Sequence, residues 1–336
     1  MSPSLPRPRG ALTRALFDNW LNGRPMGSAR LAGIDALTDD DLHLALWSCY
    51  QLHYGGFDGV DDQLEWDPLT LAFRGILERA FEHALRSEHR AADLPRDPIT
   101  ALRVVAAWSG PQLAAVVERS RDRLRIAEVA IHRSAYQLKE ADPHTWAIPR
   151  LSGPGRAAMI RLQWDEYGQG QPGQSHADLF ADALRDLGLD PGFGAYIDQL
   201  PGTTLATDNL VSMFGLHRRL RGALVGHLAL FEMCSVAPMS RYLAAARRLG
   251  DAPNLERFYE VHVEADSLHS KVALNEMVAP LAQENPELCA DMVFGATALS
   301  RVESRFARHI LDRWEAGSSS LRAASEATDA RQTAVA

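Results

Sequence analysis

The 336-residue chain has only three cysteines, Cys49, Cys234 and Cys289, and no two of them form a Cys-x-x-Cys pair. That scarcity sets aside both a disulfide framework and a zinc ribbon. Long apolar runs are missing as well: stretches such as GALVGHLALF fall far short of the roughly 20 residues that cross a bilayer. The N-terminus MSPSLPRPRGALTRALFDNW carries arginines but lacks the apolar segment of a secretory signal. A cytoplasmic protein with no membrane partner is therefore expected. Charge of one sign never accumulates. The net charge is −8, with arginines and acids interleaved, which argues against nucleic acid or an anionic membrane as the main partner. β-Branched residues are thin and no period-two alternation persists, so strands are not expected. No flavin- or nicotinamide-binding unit is expected either.

What is present is helical punctuation around an apolar content of 46%, ample for a core. HADLFADALRDLGLD repeats apolar residues at three and four (Leu179, Phe180, Ala183, Leu184, Leu187) and stops at Gly188. A helix is expected to open with Asn285 as its cap and Pro286 in its first position, and to close at Gly317. Asn254 is expected to cap the helix before it. The fold reads as all-α. Residues 1–110 form a distinct N-terminal helical region, residues 111–316 a helical core, and the small, polar tail 317–336 is expected to be disordered.

Several polar residues sit where a core wants leucine. In FYEVHVEADSLHS, His262, Asp266 and His269 are spaced four and three apart, which stacks them on one helical stripe. Glu264 falls elsewhere and reads as a solvent residue. Glu232 lies among Leu230, Phe231, Met233 and Cys234; buried, it needs a cation, a metal or a proton, and taken alone it reads equally well as solvent-facing. His227 does not share its stripe and reads as a core or surface histidine. In DEYGQGQPGQSH, Gly168, Gly170, Pro172 and Gly173 break the helix, so that Glu166 closes one helix while His176 opens the next toward the same space. A solvated loop acid and an ordinary first-turn histidine explain that pair too. Glu140 precedes the stop at Pro143, and nothing is assigned to Asp142 or His144. Together, three imidazoles and four carboxylates are too many donors for one ion and suit two, iron or manganese rather than zinc. No Glu-x-x-His pair occurs; Asp266 to His269 is an acid-x-x-His instead.

The ordered set Glu140, Glu166, His176, Glu232, His262, Asp266, His269, with DEYGQG before the first histidine and HVEADSLH at the end, resembles the heme-oxygenase-like diiron oxidases, and within them the nitrogen-oxygenating branch. The resemblance spans about residues 120–315. It implies a seven-helix bundle without heme, with two iron ions held by three core helices. Six ligands recur across the wider family, and Glu140 falls where the nitrogen-oxygenating branch has one more carboxylate. The implied reaction oxidises a small-molecule amine or amidine-type nitrogen with O2, through a peroxo-diferric species, to a hydroxylamine, nitroso or nitro product. An external two-electron donor, a small reductase or ferredoxin, is a further expectation, as is a homodimer built through the N-terminal region. Three alternatives stay open: a related diiron oxidase acting on C–H or C–C bonds of an amino or fatty acid, a non-catalytic helical binding protein, and a heme-degrading enzyme.

Overall fold

The computed structural model describes residues 2–27, 29, 31–89 and 93–323. Fourteen α-helices occupy them, and the one extended pairing among the described residues is a single bridge between Ser4 and Asp58. The N-terminal region supplies α1 (Ala11–Asn22), α2 (Asp40–Gln51), α3 (Pro68–Glu88) and α4 (Pro98–Ala106). Asp39, Asp67 and Asp97 start α2, α3 and α4 by accepting from first-turn amides. Next come α5 (Leu113–Ser120), α6 (Arg123–Gln137), α7 (Asp142–Thr145), α8 (Gly153–Glu166), α9 (His176–Asp186) and α10 (Gly202–Leu216). The long helices α11 (Arg221–Leu249) and α12 (Pro253–Lys271), the short α13 (Ala279–Glu284) and α14 (Cys289–Glu315) complete the chain. Between residues 111 and 316, seven helices have eleven residues or more, matching the expected all-α bundle.

Two apolar clusters make up the core, and their boundary positions everything that follows. The larger gathers α1–α4, α8, α10, the first half of α11 up to Leu230 and α14 up to Val302. The smaller gathers α5, α9, the second half of α11 from Met239, α12 up to Tyr259, and α14 from Phe306. Helices α6, α11 and α14 run through both, α12 leads from the smaller into the π-helical segment Val272–Val278 of the larger, and each changes from apolar to polar where it crosses. Arg133 lies there on α6, Glu232 on α11, His262, Asp266 and His269 on α12, and Glu303 on α14. Arg133 donates to both carboxylate oxygens of Glu303, at 2.9 and 2.6 Å. The bundle thus has a polar layer inside it.

The long helices meet with almost no space between backbones. A Cβ on Gly226 of α11 would overlap the Met292 carbonyl oxygen, and one on Gly295 of α14 would overlap the Ala223 carbonyl oxygen. By length and composition Arg218–Leu249 would pass for a membrane span, contrary to the expectation that no run is long enough. Its most apolar window is 67% buried inside the bundle, and it carries the buried His227 and Glu232, so its apolarity is that of a core helix.

The N-terminal helices α1–α4 pack into the same apolar cluster as α10, α11 and α14. Three further expectations are corrected. Asn254 is not the cap of α12, which starts at Pro253; instead the Asp186 carboxylate at the end of α9 accepts from the Asn254 and Leu255 amides. Asn285 opens a short 3₁₀ turn, Pro286–Leu288, ahead of α14, and makes no side-chain cap. The tail is ordered at its start: Ser320 is buried, donates to Glu128 and hydrogen-bonds His132 Nε2, and Arg322 pairs with Asp40 at 2.7 Å. Residues 324–336 lie outside the described residues.

Two fully buried histidines give the fold an acid limit. Burial pulls His43 down to about 4, opposed in part by the Ala36 and Leu37 backbone. Burial, helped by the nearby His309 and Arg133 charges, pulls His132 down to about 3. A histidine whose folded value lies below the ordinary ~6.5 is neutral in both states at higher pH, and takes a proton first in the unfolded chain as pH falls. Their contribution is intact above pH ~6.5 and declines toward pH ~4, each by up to about 1.4 kcal/mol per pH unit. Thermal melts in EDTA should therefore drop steadily from pH 7 to pH 4.5, and His132→Gln should flatten part of the drop. Parallel melting curves for the two proteins would refute this assignment.

Candidate metal centre

The polar layer brings the seven expected donors together. Glu140 sits in the turn after α6, Glu166 is the last residue of α8, His176 the first of α9, Glu232 is in the middle of α11, and His262, Asp266 and His269 line one face of α12. Four helices and a turn contribute, rather than three helices. All seven side chains are buried, while Glu264 is exposed. The α12 stripe is continued by the buried Leu255 and Tyr259, so the helix presents one apolar-then-polar face to the bundle.

Local structure explains each placement. The turn bearing Glu140 is fastened from its outer side by Lys139, whose Nζ lies 3.1 Å from Asp208 and 4.0 Å from the centre of the Tyr54 ring. The reversal between Glu166 and His176 uses Gly168, Gly170 and Gly173, all with positive φ, and Ser175 caps α9 through the Asp178 amide. Gly168 through Gly173 spells Gly-x-Gly-x-x-Gly, the spacing of a dinucleotide-binding fingerprint. It joins two helices with no strand before it and so lacks the context of a dinucleotide site. A Cβ on Gly168 would also overlap the Gln174 backbone, whereas one on Gly173 meets nothing. Gly168→Ala should therefore lower the melting temperature more than Gly173→Ala, which carries the left-handed strain alone, about 1–2 kcal/mol. Equal losses in the two variants would show that the close approach to Gln174 is unimportant.

Six of the seven donors form two groups of three, Glu140, His176 and His262 in one and Glu166, Glu232 and His269 in the other, and Asp266 falls in neither. Glu166 belongs to both in effect, because its Oε2 lies 2.7 Å from His176 Nδ1 and its Oε1 lies 3.6 Å from His269 Nδ1. His269 Nδ1 is also 3.6 Å from Glu232 and 3.9 Å from Asp266. The imidazoles are oriented from behind. His262 Nδ1 bonds the Phe258 carbonyl at 2.8 Å and leaves Nε2 facing Glu140 at 3.4 Å. His269 Nε2 meets Asp165 at 3.2 Å and leaves Nδ1 inward. Such carboxylate or carbonyl partners fix the tautomer of a metal-binding histidine.

Two observations fit this set to metal. Glu166 Oε2, His176 Nδ1 and His269 Nδ1 are buried without a hydrogen-bond partner, although the first two stand 2.7 Å apart. Atoms that converge without hydrogen-bond geometry have the arrangement of ligands sharing one cation. The side chains alone also set up an electrostatic conflict. Burial, with the Glu166 and Asp266 charges, pushes Glu232 up to about 8 against the nearby His269 ring. Burial likewise raises Asp266, with His262 opposing it. Burial works to lower His262, but Glu140 and the other acids hold it up at about 10. Two divalent cations among four carboxylates would remove that conflict. Mixed carboxylate and imidazole donors suit iron or manganese.

Two neighbours, His144 and Tyr136, carry no assignment from the sequence. His144 is buried with Nε2 3.3 Å from His227 Nδ1, and both are pulled down by burial. Tyr136, on the last turn of α6, has a buried hydroxyl with no partner. With Gln163, Leu228 and Phe231, His144 and Tyr136 enclose a chamber of about 10 Å³ against Glu140, Glu166, Glu232, His262 and Asp266. The four-residue step from Glu140 to His144 was the available signal. It was obscured because Pro143 made the segment look like an open loop.

The family model for iron-containing redox enzymes matches residues 127–304, more than half of the chain and a span within which the seven donors lie. No curated protein matches the chain. A crystal structure of a CADD-like protein of unknown function from Nostoc punctiforme shares the fold, with a TM-score of 0.50 and 16% identity, covering 62% of this chain and 92% of that one. With the buried donor set in place, the family match settles the broad identity: this chain belongs to the iron-containing redox enzyme family.

Proposed function

We infer that the seven side chains hold two iron ions and that the protein is an O2-dependent N-oxygenase of a small-molecule amine or amidine-type nitrogen. The observation that carries this reading is Glu140. It reaches the cluster as a seventh, buried donor grouped with His176 and His262, and a carboxylate at that position is what the resemblance ties to nitrogen chemistry. Bound iron would supply the reductive activation of O2. Glu166 offers one oxygen to each donor group and so would help hold iron in both. Phe258 and Asp165 hold the His262 and His269 rings with the correct nitrogen inward. Tyr136, Leu228 and Phe231 keep bulk water from the chamber, which strengthens every charge interaction inside it. Electrons come from a separate donor protein, and a homodimer is the expected assembly.

Anaerobic Fe(II) titration should show two ions per chain, and O2 uptake should then depend on an added amine, with product mass rising by oxygen. A chain-shortened or unsaturated product in place of an oxygenated nitrogen would move the assignment to C–H or C–C chemistry. Absence of iron uptake would end it.

A further inference from the structure

Beside the metal chamber lies a second, much larger cavity of about 650 Å³, within the ~300–1,000 Å³ range of pockets that take a drug-sized ligand. Phe231 belongs to both and is the wall between them. From there the cavity extends past Phe180, Met233, Phe258 and Leu299 to the loop joining α4 and α5, so most of its length is apolar. A single small ring would leave nearly all of it wet.

The chemistry changes at the outer end. Arg241 lines this cavity and also an adjoining hollow of about 400 Å³, whose other walls are Glu118, Arg119, Arg121 and Arg248. Four guanidinium groups therefore face one carboxylate, in a chain whose net charge is −8. Glu118 accepts from Arg241 at 2.7 Å, and its carbonyl oxygen accepts from Arg248. Arg119 and Arg121 are exposed and have no carboxylate partner among the described residues. Arg121 holds a left-handed conformation at the end of α5, one of two such non-glycine residues among those described. Guanidinium groups pair with phosphate or carboxylate oxygens in forked geometry, and a basic rim raises the local concentration of anionic ligands.

We propose that the arginine hollow and the apolar cavity form one substrate path, selecting an amphiphile with an anionic group at one end. The anion rests on Arg119, Arg121, Arg241 and Arg248, the apolar body fills the cavity, and the far end carrying the oxidisable nitrogen reaches Phe231. Phe231 is then the residue that sets how far a substrate enters. The path rests on the reading of the donor cluster as the oxidising centre, but binding along it does not require iron.

Isothermal titration of the iron-free chain tests it, using decyl phosphate and decanoate below their micelle thresholds, a hexyl-to-decyl phosphate series, decanol and inorganic phosphate. One decyl anion should bind per chain, and the preferred headgroup identifies phosphate or carboxylate as the natural end. Affinity should rise with chain length, and decanol and inorganic phosphate should each bind about tenfold or more weakly. The double variant Arg119→Glu/Arg121→Glu, at exposed positions that pair with no carboxylate, should weaken the decyl anion by about tenfold or more. Affinity that ignores chain length, or is unchanged in the double variant, overturns the path. Iron titration reads out separately: a chain that binds the amphiphile but no iron keeps the path and loses the oxidase reading. One that binds iron and ignores every amphiphile loses the path alone.

Discussion

Glu166→Ala should leave the chain folded and yet unable to keep either iron, with content falling from two ions per chain toward none after desalting. Its two oxygens face different donor groups, 2.7 Å from His176 Nδ1 and 3.6 Å from His269 Nδ1, so one truncation removes a ligand from both positions. Loss of a residue that only orients a ligand typically costs 10–100-fold in affinity or activity. Loss of a shared ligand should exceed that, with substrate-dependent O2 uptake down by more than about 100-fold. Glu264→Ala, two residues from both His262 and Asp266 but exposed, is the matched control and should change neither number. Two retained irons in the Glu166 variant would show that the donors do not act as one centre, and the assignment of all seven would have to be abandoned. Circular dichroism keeps a folding failure from being mistaken for this result.

The second large effect is on stability. Gly226→Ala and Gly295→Ala each force a methyl group into a carbonyl oxygen of the facing helix, at Met292 and Ala223. Neither neighbour is the flexible end of a side chain, so α11 and α14 must separate along their length. Overpacking of this kind costs about 1–3 kcal/mol and occasionally more, and a rigid backbone contact lies at the upper end. That corresponds to about 3–5 °C in melting temperature for a chain of this size, with lower soluble yield. Glu232 lies six residues beyond Gly226 on the same helix, so iron content should fall too. Gly27→Ala, where a Cβ meets nothing and φ is not positive, should melt within a degree or two of the parent. A Gly226→Ala protein as stable as that control would mean the helices are not in backbone contact.

The donors were legible because each broke a local rule. A carboxylate inside GALVGHLALFEMC and three polar residues on one stripe of α12 have no place in a packed helix unless something compensates them, and α12 does bury that stripe. The reversal from Glu166 to His176 could be read from its glycines, since Gly168 and Gly173 take backbone angles that other residues avoid. What stayed hidden depends on long-range packing. Arg133 and Glu303 are 170 positions apart, and nothing in either helix says that they meet. The α11–α14 contact is invisible because a glycine in a helix can mark a close approach or nothing at all. Asn254 shows the limit of capping rules: the residue type was right for a helix start, but a carboxylate from α9 took the role. Ser320 shows the limit of composition, since a polar, small-residue segment packs when a buried histidine and Glu128 await it.

The division of the apolar interior into two clusters has a dynamic consequence. Cooperative opening of a protein follows contiguous packed units, and the smaller cluster, built from α5, α9 and the adjoining halves of α11, α12 and α14, is such a unit. When it breathes, His176 should draw away from Glu166 and Glu232, which stay with the larger unit. Ions that clasp donors from both sides would slow that breathing. Amides of residues 176–187 and 252–259 should then exchange with solvent as a group, and together become protected once iron is bound.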